Sequence, residues 1–263
     1  MDQEPRIIVT VQEGVGLIRL NDPGSLNALS AVMASDLSAA IDDLTNDDAV
    51  RCLVLTGTGR GFCAGGDVQS FYENRDDPDD TIQATLDGLH GAINRLLVAP
   101  FPTIAAINGV VAGAGMGVAM ATDLAIAAES AVFTMAYTGI GVSPDGSSTY
   151  FLPRLVGTRR AMHMILTNER IDAARAEELG LVNTVVPDEE LSENVEALAS
   201  KLAAGPTKAY VHARKLLRTS LQSDPATQMD HEAQGILAAG QTADFYEGVT
   251  AFIEKRRPEF RGS

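Results

Sequence analysis

The chain has few cysteines, few cationic side chains and no long apolar runs, and each shortage closes off a class of protein. Its 263 residues include two cysteines, Cys52 and Cys63. That is too few for a disulfide framework, so a reducing, cytoplasmic setting is expected. Lys and Arg number 20 against 35 Asp and Glu, a formal charge of −15. This balance opposes general binding to nucleic acids or anionic membranes, which need a cationic face. It leaves open a small anionic ligand held by a few clustered basic residues. No stretch approaches the roughly 18 uninterrupted apolar residues of a membrane span. The acidic opening MDQEPRIIVTVQEG lacks the apolar core of a signal peptide. Walker, HExxH and GxSxG motifs are absent, and Gly57–Gly61 fails the dinucleotide fingerprint because Phe62 follows and no helix opens there. The histidines His90, His163, His212 and His231 have no metal-ligand spacing, so no metal site is expected.

With 45% hydrophobic and 21% charged residues, the chain has enough apolar material for a packed core, which excludes disorder. The first segment alternates like a β-hairpin, Ile7–Val11 and Val15–Leu20 around Gln12-Glu13-Gly14. Ser30 is a plausible N-cap for a helix whose apolar face carries Val32, Met33, Leu37, Ala40, Ile41 and Leu44. Short apolar runs at Cys52–Thr56, Thr103–Ile107 and Leu124–Ala127 read as buried strands, separated by helical segments. Strand–helix alternation of this kind predicts a mostly parallel sheet covered by helices. Beyond Pro187 β-branched runs vanish and helical patterns cover 189–204, 207–222, 227–240 and 242–256. The expected division is an α/β part over 1–195 and a helical part over 196–263. The acidic run at 74–80 reads as a solvated loop without calcium-loop spacing.

Two glycine-rich junctions stand out, Gly61–Asp67 and Asn108–Gly117, each following a predicted parallel strand. Ligands of α/β proteins bind at such strand ends. Small residues let a ligand approach the backbone, and free N–H groups at a helix start attract negative charge. Side by side, the two turns could aim two N–H groups at one oxygen, forming an oxyanion hole.

These junctions also carry a resemblance. FCAGGDV at 62–68, AINGVVAGAGMGVAMATDLAIAAESAVF at 106–133 and IGVSPDGSSTYFLPRLVG at 140–157 resemble the crotonase (enoyl-CoA hydratase/isomerase) superfamily. GLVNTVVP at 180–187 and FIEKRRPEFRG at 252–262 continue the match, so that it covers nearly the whole chain. The resemblance implies an α/β crotonase-like spiral of βαβ units with a helical C-terminal trimerisation region, assembled as a homotrimer or a dimer of trimers. It implies an acyl-CoA substrate and no separate cofactor, coenzyme A being part of the substrate. The backbone N–H groups of Gly66 and Ala114 would be the oxyanion donors, with alanine where the family usually has glycine. Ala64, Gly65 and Gly113 would lie beside the thioester. Asp67 would organise its turn, and Cys63 would be a small packed residue.

Hydratases of the family place two glutamates where this sequence has Gly117 and Tyr137. Glycine does no acid–base chemistry, and a tyrosine with an ordinary pKa of about 10 is a poor base near neutrality. Standard hydration is therefore disfavoured. Asp145, in Ser143-Pro144-Asp145-Gly146, falls where some family isomerases carry a single Asp or Glu. One carboxylate suffices to move a proton between two carbons, and a plain turn role for a Pro-Asp-Gly aspartate is the competing reading.

The chain also resembles the 4-chlorobenzoyl-CoA dehalogenase branch, through INGVVAG, TGIG, Asp145, LVGTRRAM and MILTNERI. There an aspartate attacks an aryl ring and a histidine, here His90, assists hydrolysis. That branch has tryptophan where Tyr137 stands. His90 and Tyr137 are expected to line or border the acyl pocket. Phe252 and Lys255 are candidate contacts to the adenine and phosphate end of coenzyme A, against a simple helix-end role for the cations. Ala28 and Leu29 are candidate neighbours of the pantetheine or adenine, and Ser25 stands where many relatives have Lys or Arg. The leading expectation is an enoyl-CoA isomerase. The alternatives are a hydratase, a dehalogenase or hydrolase, and a CoA-binding member without catalysis.

Overall fold

The computed structural model describes residues 5–263, leaving the first four residues of the acidic N-terminal segment outside. β1 (Ile7–Gln12) and β2 (Val15–Leu20) form the expected antiparallel hairpin. Ser30 caps α1 (Ala31–Thr45), its side chain accepting from the Met33 N–H. The inner face of α1 carries Met33, Leu37, Ile41 and Leu44, all buried. Val32 does not join them: it is 51% exposed, one step off that stripe. β3 (Cys52–Gly57) is buried on both faces, as its unbroken apolar run requires.

The chain then repeats one manoeuvre. Each long strand continues into a short strand of a second sheet and then into a helix. β3 leads to β4 (Gly61–Cys63), α2 (Val68–Glu73) and α3 (Asp79–Val98). Next, β5 (Thr103–Ile107) leads to β6 (Val110–Ala112) and α4 (Ala114–Ala121). β7 (Leu124–Ala128) leads to β8 (Val132–Thr134), α5 (Ser148–Val156), α6 (Thr158–Thr167), β9 (Ile171–Asp172), α7 (Ala173–Glu178) and β10 (Thr184–Val186). The large sheet has the order β1-β2-β3-β5-β7-β10, parallel from β2 onward. The small sheet has the order β4-β6-β8-β9, with only β9 antiparallel. The result is a spiral of α/β turns, as expected.

The small sheet was not legible in the sequence. Its strands are two or three residues long, too short to show alternation, and β4 and β6 are hidden inside the glycine-rich junctions. The acidic run at 74–80 is also not all loop, since Asp79 and Asp80 form the first turn of α3, where negative charge favours the helix.

Two apolar cores lie on opposite faces of the large sheet. One contains Leu53, Leu55, Ala105 and Ile107 with α1, α3 and α4. The other packs Cys52, Val54, Ile104 and Ile126 against Leu191, Val195, Ala199 and Ala203 of α8 (Leu191–Ala203). The boundary expected between 195 and 196 falls inside α8, whose whole length packs on the sheet. The peripheral helices begin later, with α9 (Thr207–Ser220), α10 (Pro225–Ala239) and α11 (Ala243–Glu254).

Two arginines of α9 dock this helical part. Arg214 donates to the carbonyls of Leu96, Ala99 and Phe101, and Arg218 to those of Leu97 and Ala121. All but that of Phe101, which lies in the loop before β5, are carbonyls that the ends of α3 and α4 leave without helical partners. Asp123 sits between the two guanidinium groups, 2.7 Å from Arg214 Nε and 2.9 Å from Arg218. The Arg214 contact is an ion pair and not an aligned hydrogen bond. No helix among the described residues is long and apolar enough to cross a membrane.

Candidate active site

β4 and β6 pair in parallel, with Cys63 opposite Val111, so the two glycine-rich turns that follow them lie side by side. Gly65 has φ +98°, and a Cβ there would meet the Ala112 carbonyl at 2.9 Å and the Gly113 Cα at 3.4 Å. Only glycine allows this contact between turns. Gly113, at φ +48°, precedes α4 and donates to the Thr134 carbonyl. Ala114 is the first residue of α4, so its N–H has no partner within the helix. Gly66 bridges to Leu29, but the bonds of that bridge use the N–H groups of Leu29 and Asp67 and leave the Gly66 N–H without a backbone acceptor. Among the described residues neither N–H has a hydrogen-bond acceptor.

Side-chain pins hold the turns. Asn108 accepts from the Gly57 N–H and donates to the carbonyls of Gly59 and Gly61. Asn27, fully buried at φ +61°, accepts from the Asp22 N–H and donates to the carbonyls of Thr58 and Gly61. Sequence reading passed over both asparagines, although each sits in a motif quoted for the resemblance or beside one. Asp67 caps α2, accepting from the Ser70 N–H, in agreement with an organising role. Ala64 donates to the Leu26 carbonyl. Ser25 accepts from the Ala28 N–H and donates to Asp22, so it closes its own turn. Leu29 is wholly buried, backbone included, its N–H donating to the Gly65 carbonyl and its carbonyl accepting from the Asp67 N–H.

Phe71, on α2, was not foreseen. Its ring lies 3.1 Å from where a Cβ of Gly66 would be, placing an aromatic edge beside one donor turn. Cys63 is buried, and desolvation pushes its thiol up to about 12, which removes it as a nucleophile.

The second half of the site comes from the segment after β8. Tyr137 begins a short 3-10 turn and is buried. Its ring reaches within 3.9 Å of where a Gly113 Cβ would stand, so it closes on the second turn. Its hydroxyl donates to Asp145 Oδ1 at 2.5 Å. Burial, reinforced by the Asp145 charge and hydrogen bond, drives the phenol far above the ordinary tyrosine range. Tyr137 therefore remains a protonated donor.

The Asp145 loop is fixed from both sides. The Asp145 carbonyl accepts from the Ser148 N–H, and a Cβ on Gly146 would lie 3.2 Å from Leu89 and 3.3 Å from Ile93 of α3. On the other side, a Cβ on Gly117 would lie 2.5 Å from the Gly146 carbonyl oxygen. The place of one hydratase glutamate is thus occupied by backbone. His90, next to Leu89 on α3, faces outward and is exposed. The helix turns Leu89 and Ile93 toward the aspartate loop, while His90 makes no hydrogen bond to it.

Phe252 is 81% exposed near the end of α11, and Lys255 caps that helix at φ +56°. The neighbouring cations are partly committed to structure. Arg256 pairs with Glu247 and Glu254, holding the Glu247 carboxyl down at about 2. The tail folds back because the Arg261 and Gly262 N–H groups donate to Asp244. A groove of about 500 Å³ lies between the α8 face of the large sheet and the starts of the two junctions, lined by Val195 and Ala199 on one side and by Gly57, Gly59 and Asn108 on the other.

A spiral of α/β turns with paired glycine junctions at its strand ends defines a class of acyl-CoA enzyme, and comparison with known proteins gives the family. Residues 10–263 match the enoyl-CoA hydratase/isomerase family, and the chain belongs to it. It is 37% identical over 257 residues to a 1,2-epoxyphenylacetyl-CoA isomerase of Escherichia coli K12, covering 97% of this chain and 98% of that protein. It is 36% identical over 262 residues to 4-chlorobenzoyl coenzyme A dehalogenase-2 of an Arthrobacter species, covering 97% and 92%. The crystal structure of an enoyl-CoA hydratase from Bacillus anthracis superposes with a TM-score of 0.92 at 32% identity, covering 98% of this chain and all of that one. The crotonase fold and the family's acyl-CoA chemistry follow.

Proposed function

We propose that this enzyme moves a carbon–carbon double bond in an acyl-CoA, converting a 3-enoyl-CoA to a 2-enoyl-CoA or performing a related isomerisation, with Asp145 as the acid/base. The supporting observation is the Tyr137–Asp145 hydrogen bond beside the Gly113–Ala114 turn, with the Gly117 place filled by Gly146. One carboxylate is presented to the site where hydratases use two. The N–H groups of Gly66 and Ala114 hold the thioester oxygen. Asp145 takes a proton from C2; the C–H pair forms the C1–C2 double bond and pushes the carbonyl π pair onto the thioester oxygen, giving a dienolate with the C3–C4 double bond intact. The proton on Asp145 is then delivered to C4, and the enolate collapses to the conjugated thioester. Charge developing on the oxygen is met by two fixed dipoles, the largest effect available to such a site.

Coenzyme A would lie along Ala28, Leu29, Ala64, Gly65 and Asp67, with Phe252 and Lys255 at its nucleotide end. Phe252, Ile253, Ile236 and Leu237 are all more than two-thirds exposed, an apolar surface suited to a second copy. Together with the family resemblance, this surface supports a homotrimer or dimer of trimers, and the scarcity of cysteine supports a cytoplasmic setting.

Aryl dehalogenation is the second reading, carried by Asp145 and by the Arthrobacter relative. It requires His90 to turn inward from its exposed position. The test offers the purified enzyme a 3-enoyl-CoA, a 2-enoyl-CoA and 4-chlorobenzoyl-CoA in parallel. Rising conjugated-thioester absorbance with the first supports the isomerase. Hydration of the second or halide release from the third, without the first reaction, contradicts it.

A further inference from the structure

Tyr137 does more in this structure than fill the place of a missing glutamate. Its hydroxyl is 2.5 Å from Asp145 Oδ1, and its ring abuts the turn that carries the Ala114 N–H. One buried side chain thus touches both the candidate base and the candidate oxyanion turn. One other polar side chain stands close by: the buried Ser148 hydroxyl lies beside the Tyr137 hydroxyl, without a bond to the carboxylate. α4 is built from Ala, Gly, Met and Val alone. α3 turns Leu89 and Ile93 toward the loop, while Asp87 is bonded to Gln83, Arg95 to Asp42, and His90 is exposed. On α5, Arg154 lies over the Tyr150 ring. Of the side chains packed around it, Tyr137 is the one hydrogen-bonded to Asp145.

We propose that Tyr137 is a positioning residue that locks Asp145 through Oδ1, so that Oδ2 alone carries the migrating proton between the two carbons. This rests on the acid/base reading of Asp145. Held at Oδ1 by a buried donor, the carboxyl keeps its protonated Oδ2 turned to the substrate, which favours delivery to C4 over exchange with water. The proton removed from C2 therefore returns to C4 of the same molecule. The lock also fixes the direction of approach, which matters because a misplacement of about 1 Å can cost about 100-fold in rate.

The experiment compares wild type, Tyr137→Phe, Asp145→Asn and wild type grown with 3-fluorotyrosine, all on a 3-enoyl-CoA in D2O. For Tyr137→Phe, kcat is expected to fall about 10- to 100-fold, in keeping with loss of a hydrogen bond to a charged group. KM should stay within about 2-fold, the group acting only after binding. Deuterium incorporation at C4 should rise from a minor fraction in wild type to the major product. The fluorinated enzyme keeps the hydroxyl and should retain low deuterium uptake. If Tyr137→Phe loses rate while C4 deuterium stays at the wild-type level, or if its kcat is unchanged, the lock is wrong. Should that variant fold poorly, high C4 deuterium in the fluorinated or unlabelled wild type contradicts the proposal equally. Full activity in Asp145→Asn would instead overturn the acid/base reading beneath it.

Discussion

Gly117 and Gly146 meet backbone to backbone: a Cβ on Gly117 would lie 2.5 Å from the Gly146 carbonyl oxygen. The aspartate loop is seated against the residue at which the family resemblance would place a hydratase glutamate. A side chain at residue 117 and the observed course of the aspartate loop therefore exclude each other.

Gly117→Glu should consequently fail to create a hydratase. The new side chain must displace the Gly146 carbonyl, and with it the Asp145 turn. We expect a loss of about 1–3 kcal/mol, the usual cost of overpacking, and at least a 10-fold fall in isomerase rate. Thermal denaturation and the two enoyl-CoA assays check this, and hydration appearing in a stable variant would contradict it.

Ala114→Pro removes one oxyanion N–H with little other change. Proline is tolerated at the first position of a helix, and Gly113, at φ 48 and ψ −121, lies outside the α region that a following proline disfavours. The expected result is a kcat about 100- to 1,000-fold lower, as for loss of one oxyanion donor, with the helical circular dichroism unchanged.

The two thiols set an alkaline limit. Burial pushes both Cys52 and Cys63 up to about 12 from an ordinary 9.0. Their folded values lie above the unfolded ones, so the stabilisation is complete below about pH 9 and is lost as pH rises from 9 toward 12. Iodoacetamide should label neither residue at pH 8 in the native protein and both after denaturation. The denaturant midpoint should fall steadily above pH 9, and less so in a Cys52→Ala, Cys63→Ala double variant.

Asp123 fixes the peripheral helices to the core. Asp123→Ala leaves Arg214 and Arg218 as uncompensated charges, and both are only partly exposed, at 11% and 25% of the side chain. The cost should be about 3 kcal/mol, at the lower end for broken buried pairs, discounted for residual solvent. Proteolysis should cut near α9 before it cuts the sheet, which mass spectrometry of the fragments would report.

The parts of this molecule that were legible in the sequence are those with a long enough period. Ser30 and the stripe Met33–Leu37–Ile41–Leu44 gave α1, the unbroken apolar runs gave β3, β5 and β7, and the loss of β-branched residues after Pro187 gave the helical part. The small sheet stayed hidden because three-residue strands carry no periodicity. Domain division was misplaced at 195 because α8, although helical in pattern, belongs to the sheet's second core. At the site, the glycine turns were readable from their motif, and Asp145 stood out as a candidate only through the family resemblance. The Tyr137–Asp145 bond was not, since the eight residues between them say nothing about which way two side chains turn. Asn27 and Asn108 escaped for a related reason: their work is done through backbone atoms about 30 to 50 residues away.

The most direct test of the account is the rate of conjugation of a 3-enoyl-CoA by wild type and by Asp145→Asn. Asparagine preserves the size of the side chain and can still accept from the Tyr137 hydroxyl, but it cannot carry the proton. The account predicts a kcat at least about 1,000-fold lower, within the range for an essential proton-transfer group, with substrate affinity nearly unchanged. An Asp145→Asn enzyme that isomerises at the wild-type rate would move the chemistry to another group and contradict it.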